Sequence, residues 1–313
     1  MSEPNANSLS ADLIDACRSR QRRLRATLSD RPIDALIVSN PKDICYLTGF
    51  PGEDSLLLVP TDGPPAIITD SRFDEALNPW RDVASRDGGV GEVHIGTRHR
   101  LQDTVKSLSE RRGFKHIALQ AEHVSIADRG KYAQAIGEDR LVDSTGLVGA
   151  LRMCKDDLEI AAIEKAIDIQ QRALAAALPQ LSIGMSEREF CALLEYEMKC
   201  RGADKPSFDI IIGAGSNSSI IHHHPGERRI ESGVLLIDWG CVSDGYCGDL
   251  TRTFGIGEMP QQIREIYAIV HEAQLKAIEA CRPGRMCAEI DKVSRDVIAD
   301  AGYGSYFGHG LGH

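Results

Sequence analysis

The chain has 313 residues, of which 42% are hydrophobic and 26% charged, with a formal net charge of −10. At about 150 residues per domain this is enough for two domains, each able to bury a core, and the composition excludes a disordered or collagen-like polymer. Acid is in excess in both halves and aromatics make up only 5%, which excludes a nucleic-acid partner held by its phosphates or by stacking.

Residues 8–28 carry the spacing of an amphipathic, arginine-rich helix. Short apolar runs then predict strands over Ala35–Ser39, Ser55–Val59 and Ala66–Thr69. A helix is expected after Asp70, which is placed as its N-cap. A helix near Leu101–Arg111, a strand Ile117–Gln120, a helix Ser125–Ile136 and a strand Leu141–Asp143 continue the alternation. Strands alternating with helices predict an α/β layer domain. No glycine-rich phosphate loop occurs, so a nucleotide site has no motif behind it.

The texture changes near Thr145–Lys155, which divides the chain into domains 1–150 and 151–313. Lys155–Leu178 reads as a long helix with Leu158, Ala162, Ile163, Ala166, Ile169 and Ala173 on one stripe, ended by Pro179. Ser186–Arg201 reads as a second helix, with Ser186 and Glu189 in capping-box spacing. Strands are expected over Phe208–Ile212, Ser218–His222, Val234–Val242 and Tyr246–Phe254, then helices over Pro260–Cys281 and Met286–Ala301. This is an α+β pattern.

The sequence around Asp244-Gly245 carries the chemistry. Asp-Gly is a strong two-residue hairpin signal. If these two residues form the turn, Asp238 faces Thr251, and Asp249 lies diagonally across on the same face. Asp238 follows four apolar residues, so its strand is expected to be buried. Two buried carboxylates on one face repel unless a proton or a cation joins them. A divalent metal satisfies both, since hard cations take oxygen ligands. The alternative is that one aspartate is a turn or surface residue. The ending Phe307–His313 places glycines around His309 and His313, which suits close backbone approach and a fixed imidazole direction. In the His222-His223-His224 run, strand alternation sets His222 and His224 on one face, and an exposed polar strand end is the simpler reading.

Nine cysteines without a C-x-x-C pair are expected to be reduced, mostly buried thiols, as in a cytoplasmic protein. The amino terminus has no signal-peptide core, and the longest apolar runs are too short to span a membrane.

Taken in order, N-S-x-x-x-H at Asn217–His222, D-x-G at Asp238–Gly240, G-Y-x-x-D-x-T-R-T at Gly245–Thr253 and H-G-x-G-H at His309–His313 resemble the metallopeptidases that include proline dipeptidases, aminopeptidase P and methionine aminopeptidase. Asp34–Val38, Tyr46–Phe50, Ile68–Phe73 and the junction Leu151–Ile160 resemble the creatinase/prolidase branch. The resemblance implies an α/β amino-terminal domain of that type followed by an α+β pita-bread catalytic domain. It implies that Asp238 chelates one metal, Asp249 bridges two and His313 binds the second, with His222 and His309 lining the substrate pocket. The implied cofactor is two divalent ions, manganese first, with cobalt, zinc or iron as alternatives. They would share a water, lower its pKa and release it as the nucleophile for the peptide carbonyl. The implied substrate is a peptide with proline at its second position, and the implied assembly is a homodimer of the full-length enzyme.

The family pattern also places two glutamate ligands after the histidine corresponding to His313. The expectation is therefore an incomplete, truncated catalytic domain in which this chain binds metal weakly and turns over little. Two other readings use the same scaffold. One is an enzyme acting on a non-peptide substrate, like creatinase, ectoine hydrolase or a sulfonium-compound lyase. The other is a catalytically dead binding module, which the retained Asp238, Asp249 and His313 disfavour.

Overall fold

The computed structural model describes residues 9–87 and 90–312. The chain divides into two compact units, Met1–Ile160 and Ala161–His313.

Apolar tetrads dominate the first unit's sheet. Its strands are β1 (Ala35–Val38), β2 (Leu56–Pro60), β3 (Ala66–Thr69), β4 (Glu92–Ile95), β5 (Ile117–Gln120) and β6 (Leu141–Ser144). They form one mixed sheet in the order β4-β3-β2-β1-β5-β6. β1 runs antiparallel to β2 and parallel to β5. The helices are α1 (Ala11–Ser29), α2 (Pro41–Thr48), α3 (Asn78–Asp87), α4 (Leu101–Arg112), α5 (Ile126–Ile136) and α6 (Leu147–Met153). Side-chain alternation splits the core in two. Leu36, Val38, Leu57 and Val59 pack with Leu24 and Leu28 of α1. Ala35, Ile37, Leu56 and Leu58 pack with Val105 and Leu108 of α4. Both faces of the sheet are therefore covered, as its continuous apolar runs require.

The helix expected directly after Asp70 is instead a 3₁₀ turn, Ser71–Phe73, capped by the Asp70 side chain, and α3 begins only at Asn78. The junction segment is tied to the first unit. Arg20 is buried and donates to Asp156 at 2.8 and 3.0 Å and to the Tyr46 carbonyl at 2.9 Å. Arg152 donates to the buried Asp43 carboxylate at 2.9 Å. These pairs keep residues 147–159 with the amino-terminal sheet.

In the second unit, helices α7 (Asp157–Ala177) and α8 (Glu187–Cys200) precede six strands. These are β7 (Lys205–Pro206), β8 (Ile211–Ala214), β9 (Gly233–Trp239), β10 (Cys241–Ser243), β11 (Tyr246–Cys247) and β12 (Leu250–Ile256). Helices α9 (Gln261–Ala280) and α10 (Cys287–Asp300) follow and pack on each other. The strands form two antiparallel sheets, β11-β10-β7 and β12-β9-β8. Leu235, Ile237 and Trp239 of β9 point to a core built from Ala166, Ile169 and Ala173 of α7 and Phe190, Leu194 and Met198 of α8. Leu158, assigned to the α7 stripe, is 40% exposed, because it precedes the part of the helix that meets the sheet. The capping box of α8 is formed. Ser186 Oγ accepts from the Glu189 amide at 3.1 Å, and Glu189 accepts from the Ser186 amide at 2.7 Å.

Two expectations need correction. Ser218–His222 is no strand: Gly215–Ser219 forms a 3₁₀ turn, and Ile220 and Ile221 are exposed. The cysteines are all free thiols, but only Cys17 and Cys241 are buried, while Cys154, Cys200, Cys247, Cys281 and Cys287 are exposed. Cys200, Cys281 and Cys287 sit at helix ends, which explains their exposure. Among the described residues no helix is long and apolar enough to cross a membrane.

Candidate metal centre and its two histidine loops

The Asp-Gly turn sets the geometry of the site. Asp244 and Gly245 have φ of 52° and 81°, the left-handed pair that a tight hairpin turn demands. Lys165 of α7 pairs with the Asp244 carboxylate at 2.6 Å and pins the turn. Ser243 then faces Tyr246, and Val242 faces Cys247. The same register resumes in the next sheet, where Thr251 faces Asp238 and Leu250 faces Trp239. Between the two sheets the Gly248 amide donates to the Cys241 carbonyl at 2.9 Å, which keeps the register and sets Asp249 across from Gly240. Asp238 is paired with Thr251, and Asp249 lies two residues before Thr251, just outside β12. Thr251 Oγ1 donates to Asp238 Oδ1 at 2.8 Å and orients that carboxylate.

The strand of Asp238 is less buried than its apolar run predicts. In β9, residues alternate, with Leu235, Ile237 and Trp239 buried and Val234, Leu236 and Asp238 half-buried. Asp249 is exposed. Asp238 lies on the face opposite the α7–α8 core, so the repulsion expected from full burial is reduced by solvent. Among the described residues no three His, Cys, Asp or Glu side chains gather as a metal-holding group. His313, the expected third ligand, lies outside the described residues. The donors these two residues offer are carboxylate oxygens, which suit hard divalent cations.

The bend between the sheets depends on missing side chains. A Cβ on Gly240 would sit 2.1 Å from the Gly248 carbonyl oxygen and 2.3 Å from Ser207 Oγ. A Cβ on Gly248 would meet Gln170 Oε1 at 2.3 Å. Gly240→Ala is expected to cost about 3 kcal/mol, measured as the change in urea unfolding free energy, because the clash is with backbone. An unchanged midpoint would contradict this close approach.

His222 is exposed in the turn after the 3₁₀ segment. Its loop is anchored by a residue that sequence reasoning missed, Glu187. That side chain is fully buried and accepts four hydrogen bonds. The donors are the Ala214 amide at 2.8 Å, Asn217 Nδ2 at 2.9 Å, His223 Nε2 at 2.8 Å and the Gly226 amide at 3.2 Å. Burial pushes the Glu187 carboxyl up, but these donors outweigh it and hold the group below the ordinary glutamate value. His223, open in role from the sequence, is thus a structural partner of Glu187.

His309 lies exposed on the loop after α10, with its ring edge-on to Phe307 at 5.3 Å. Asp291 and Arg295, also missed, fasten this loop. Arg295 donates to the carbonyls of Phe307 at 2.8 Å and His309 at 2.9 Å. Asp291 accepts the Leu311 amide at 2.7 Å. The i,i+4 spacing of this pair on a helix was a usable signal for the ion pair, but not for the loop it holds.

Comparison with known proteins agrees with this organisation. Residues 20–154 match the creatinase/prolidase N-terminal domain and residues 161–313 match metallopeptidase family M24. The chain is 30% identical to the Xaa-Pro dipeptidase of Pyrococcus horikoshii over 303 residues, spanning 96% of this chain and 82% of that one. The solved Xaa-Pro dipeptidase from Bacillus anthracis superposes with a TM-score of 0.86 at 31% identity, covering 95% of this chain and 81% of that one. The X-Pro aminopeptidase of Thermotoga maritima superposes with a TM-score of 0.83 at 32% identity, covering 93% and 81%. The fold is a creatinase-type α/β domain followed by a pita-bread catalytic domain. The chain belongs to metallopeptidase family M24.

Proposed function

We propose that this protein hydrolyses peptide bonds that precede proline, using two divalent ions, manganese first. The observation that supports this reading is the hairpin register, which pairs Asp238 with Thr251 and leads into Asp249. Asp238 and Asp249 would hold the metal, the second as the bridge, and His313 would join them. Bound there, divalent ions lower the pKa of the attacking water and polarise the scissile carbonyl. The chain's own residues supply orientation. Thr251 fixes Asp238, Glu187 fixes the loop of His222, and the Asp291–Arg295 pair fixes the loop of His309. His222 and His309 would contact the substrate across the reacting bond. Relatives named as dipeptidase and as aminopeptidase support the Xaa-Pro class in common. The same family likeness supports a homodimer, and nine unpaired cysteines support a cytoplasmic location.

The test is proline release from Gly-Pro and Ala-Pro, alongside cleavage of a longer Xaa-Pro peptide, with excess manganese and enough protein to follow slow turnover. Cleavage of either class supports the reading, and their ratio separates dipeptidase from aminopeptidase. Cleavage of neither by protein shown to hold manganese would overturn it in favour of a non-peptide substrate.

A further inference from the structure

We propose that Asp291 and Arg295 are a positioning pair that fixes the His309 loop and commits the neutral His309 imidazole to one tautomer, with its proton on Nδ1. The value of this device to catalysis rests on the peptidase reading. The geometry itself does not.

The segment from Phe307 to Leu311 has no regular structure, and glycines at 308 and 310 leave its backbone many conformations. Both of its ends return to one turn of α10. Arg295 binds two carbonyls of the loop through Nη1 and Nη2. The same guanidinium donates from Nε and Nη2 to the Asp291 carboxylate at 3.0 and 3.1 Å. Its plane lies 4.4 Å from the Phe307 ring centroid. Asp291 completes the closure through the Leu311 amide. A flat fork with five N–H donors can serve a carboxylate, two carbonyls and an aromatic face together, and an ammonium cannot.

His309 is held by this loop and not by packing, since it is exposed. Its Nδ1 lies 2.7 Å from the Gly310 carbonyl oxygen. A carbonyl oxygen only accepts, so Nδ1 carries the proton. In the neutral ring Nε2 is then a lone-pair nitrogen. Neutral His309 therefore offers the pocket an acceptor. A peptide bond before proline has no N–H to give it. Its partner is an O–H group or the amino-terminal ammonium of the substrate. His309 donates to the carbonyl oxygen only as imidazolium.

The experiment is ¹⁵N NMR of the histidine-labelled 313-residue protein, with His309 assigned by its loss in His309→Asn. The expected result is a protonated Nδ1 and an unprotonated Nε2 in the neutral ring. In Arg295→Ala and Arg295→Lys, the single tautomer should give way to a mixture and the Leu311 amide should exchange about tenfold faster. Arg295→Lys keeps the charge, so it reports the fork geometry even if the alanine variant folds poorly. A wild-type ring with its proton on Nε2, or unchanged tautomer and Leu311 exchange in both variants, would overturn the proposal. Neither measurement depends on turnover, so failure here and failure of the peptidase reading are separate results.

Discussion

Asp249→Ala is expected to abolish manganese-dependent Xaa-Pro hydrolysis and to weaken manganese binding about a hundredfold or more. Loss of an outer-sphere group already costs that much in metal sites, and here a carboxylate assigned to bridge is removed. Asp249 is exposed and sits across from Gly240, so the substitution leaves the hairpin register and the α7–α8 core intact. The comparison is calorimetric titration of wild type and variant with manganese, together with the proline-release assay. An active variant, or one that binds manganese like wild type, would refute the bridging role. Asp238→Asn tests the partner. It keeps the acceptor for Thr251 and removes the charge, so affinity should fall while the Thr251 contact remains.

Glu187→Ala carries the largest expected stability effect. The carboxylate is fully buried with four donors around it, and truncation strands two backbone amides, Asn217 and His223 together. Breaking one partner of such a buried network costs about 3–5 kcal/mol. For a unit of this size the melting temperature should drop by roughly 10 °C. The pH dependence has a definite sign. The Glu187 carboxyl is held below its ordinary value of 4.5, so its contribution is complete above that pH and is lost as pH falls through the lower folded-state value. Wild type should thus lose stability on acidification through that range, and Glu187→Gln should lose less. Equal acid slopes for the two proteins would contradict the assignment.

Local chemistry explains why some elements were legible in the sequence. Ala66–Thr69 and Ile117–Gln120 are strands with the bounds that their apolar runs suggest, because central strands covered on both faces need continuous hydrophobicity. The hairpin register followed from Asp244-Gly245 alone, since a two-residue turn admits one pairing. Other elements gave weaker signals. Strand β4, Glu92–Ile95, is a half-buried edge with polar residues, and helix α2 is only 8 residues long, capped by Asn40 and begun by Pro41. Ser218–His222 misled because Ile220 and Ile221 are apolar but face solvent, while the Glu187 network draws the neighbouring Asn217 inward.

The site was legible to the same extent. The two aspartates were found by spacing, yet the burial of the Asp238 strand was overestimated, because four apolar residues before Asp238 hide an alternation in which Val234 and Leu236 are only half-buried. Glu187 lies 27 residues before Ala214 and 36 before His223, so no local pattern marks it. It is visible only once α8 and β8 come together.

The central claim is that Asp238 and Asp249 share one metal site. The most direct measurement is an anomalous difference map from crystals of this protein soaked in manganese. The account predicts density within bonding distance of both carboxylates on the exposed face of the hairpin, and its loss in Asp249→Ala crystals. Manganese bound elsewhere with that face empty, or density that persists unchanged in the variant, would contradict it.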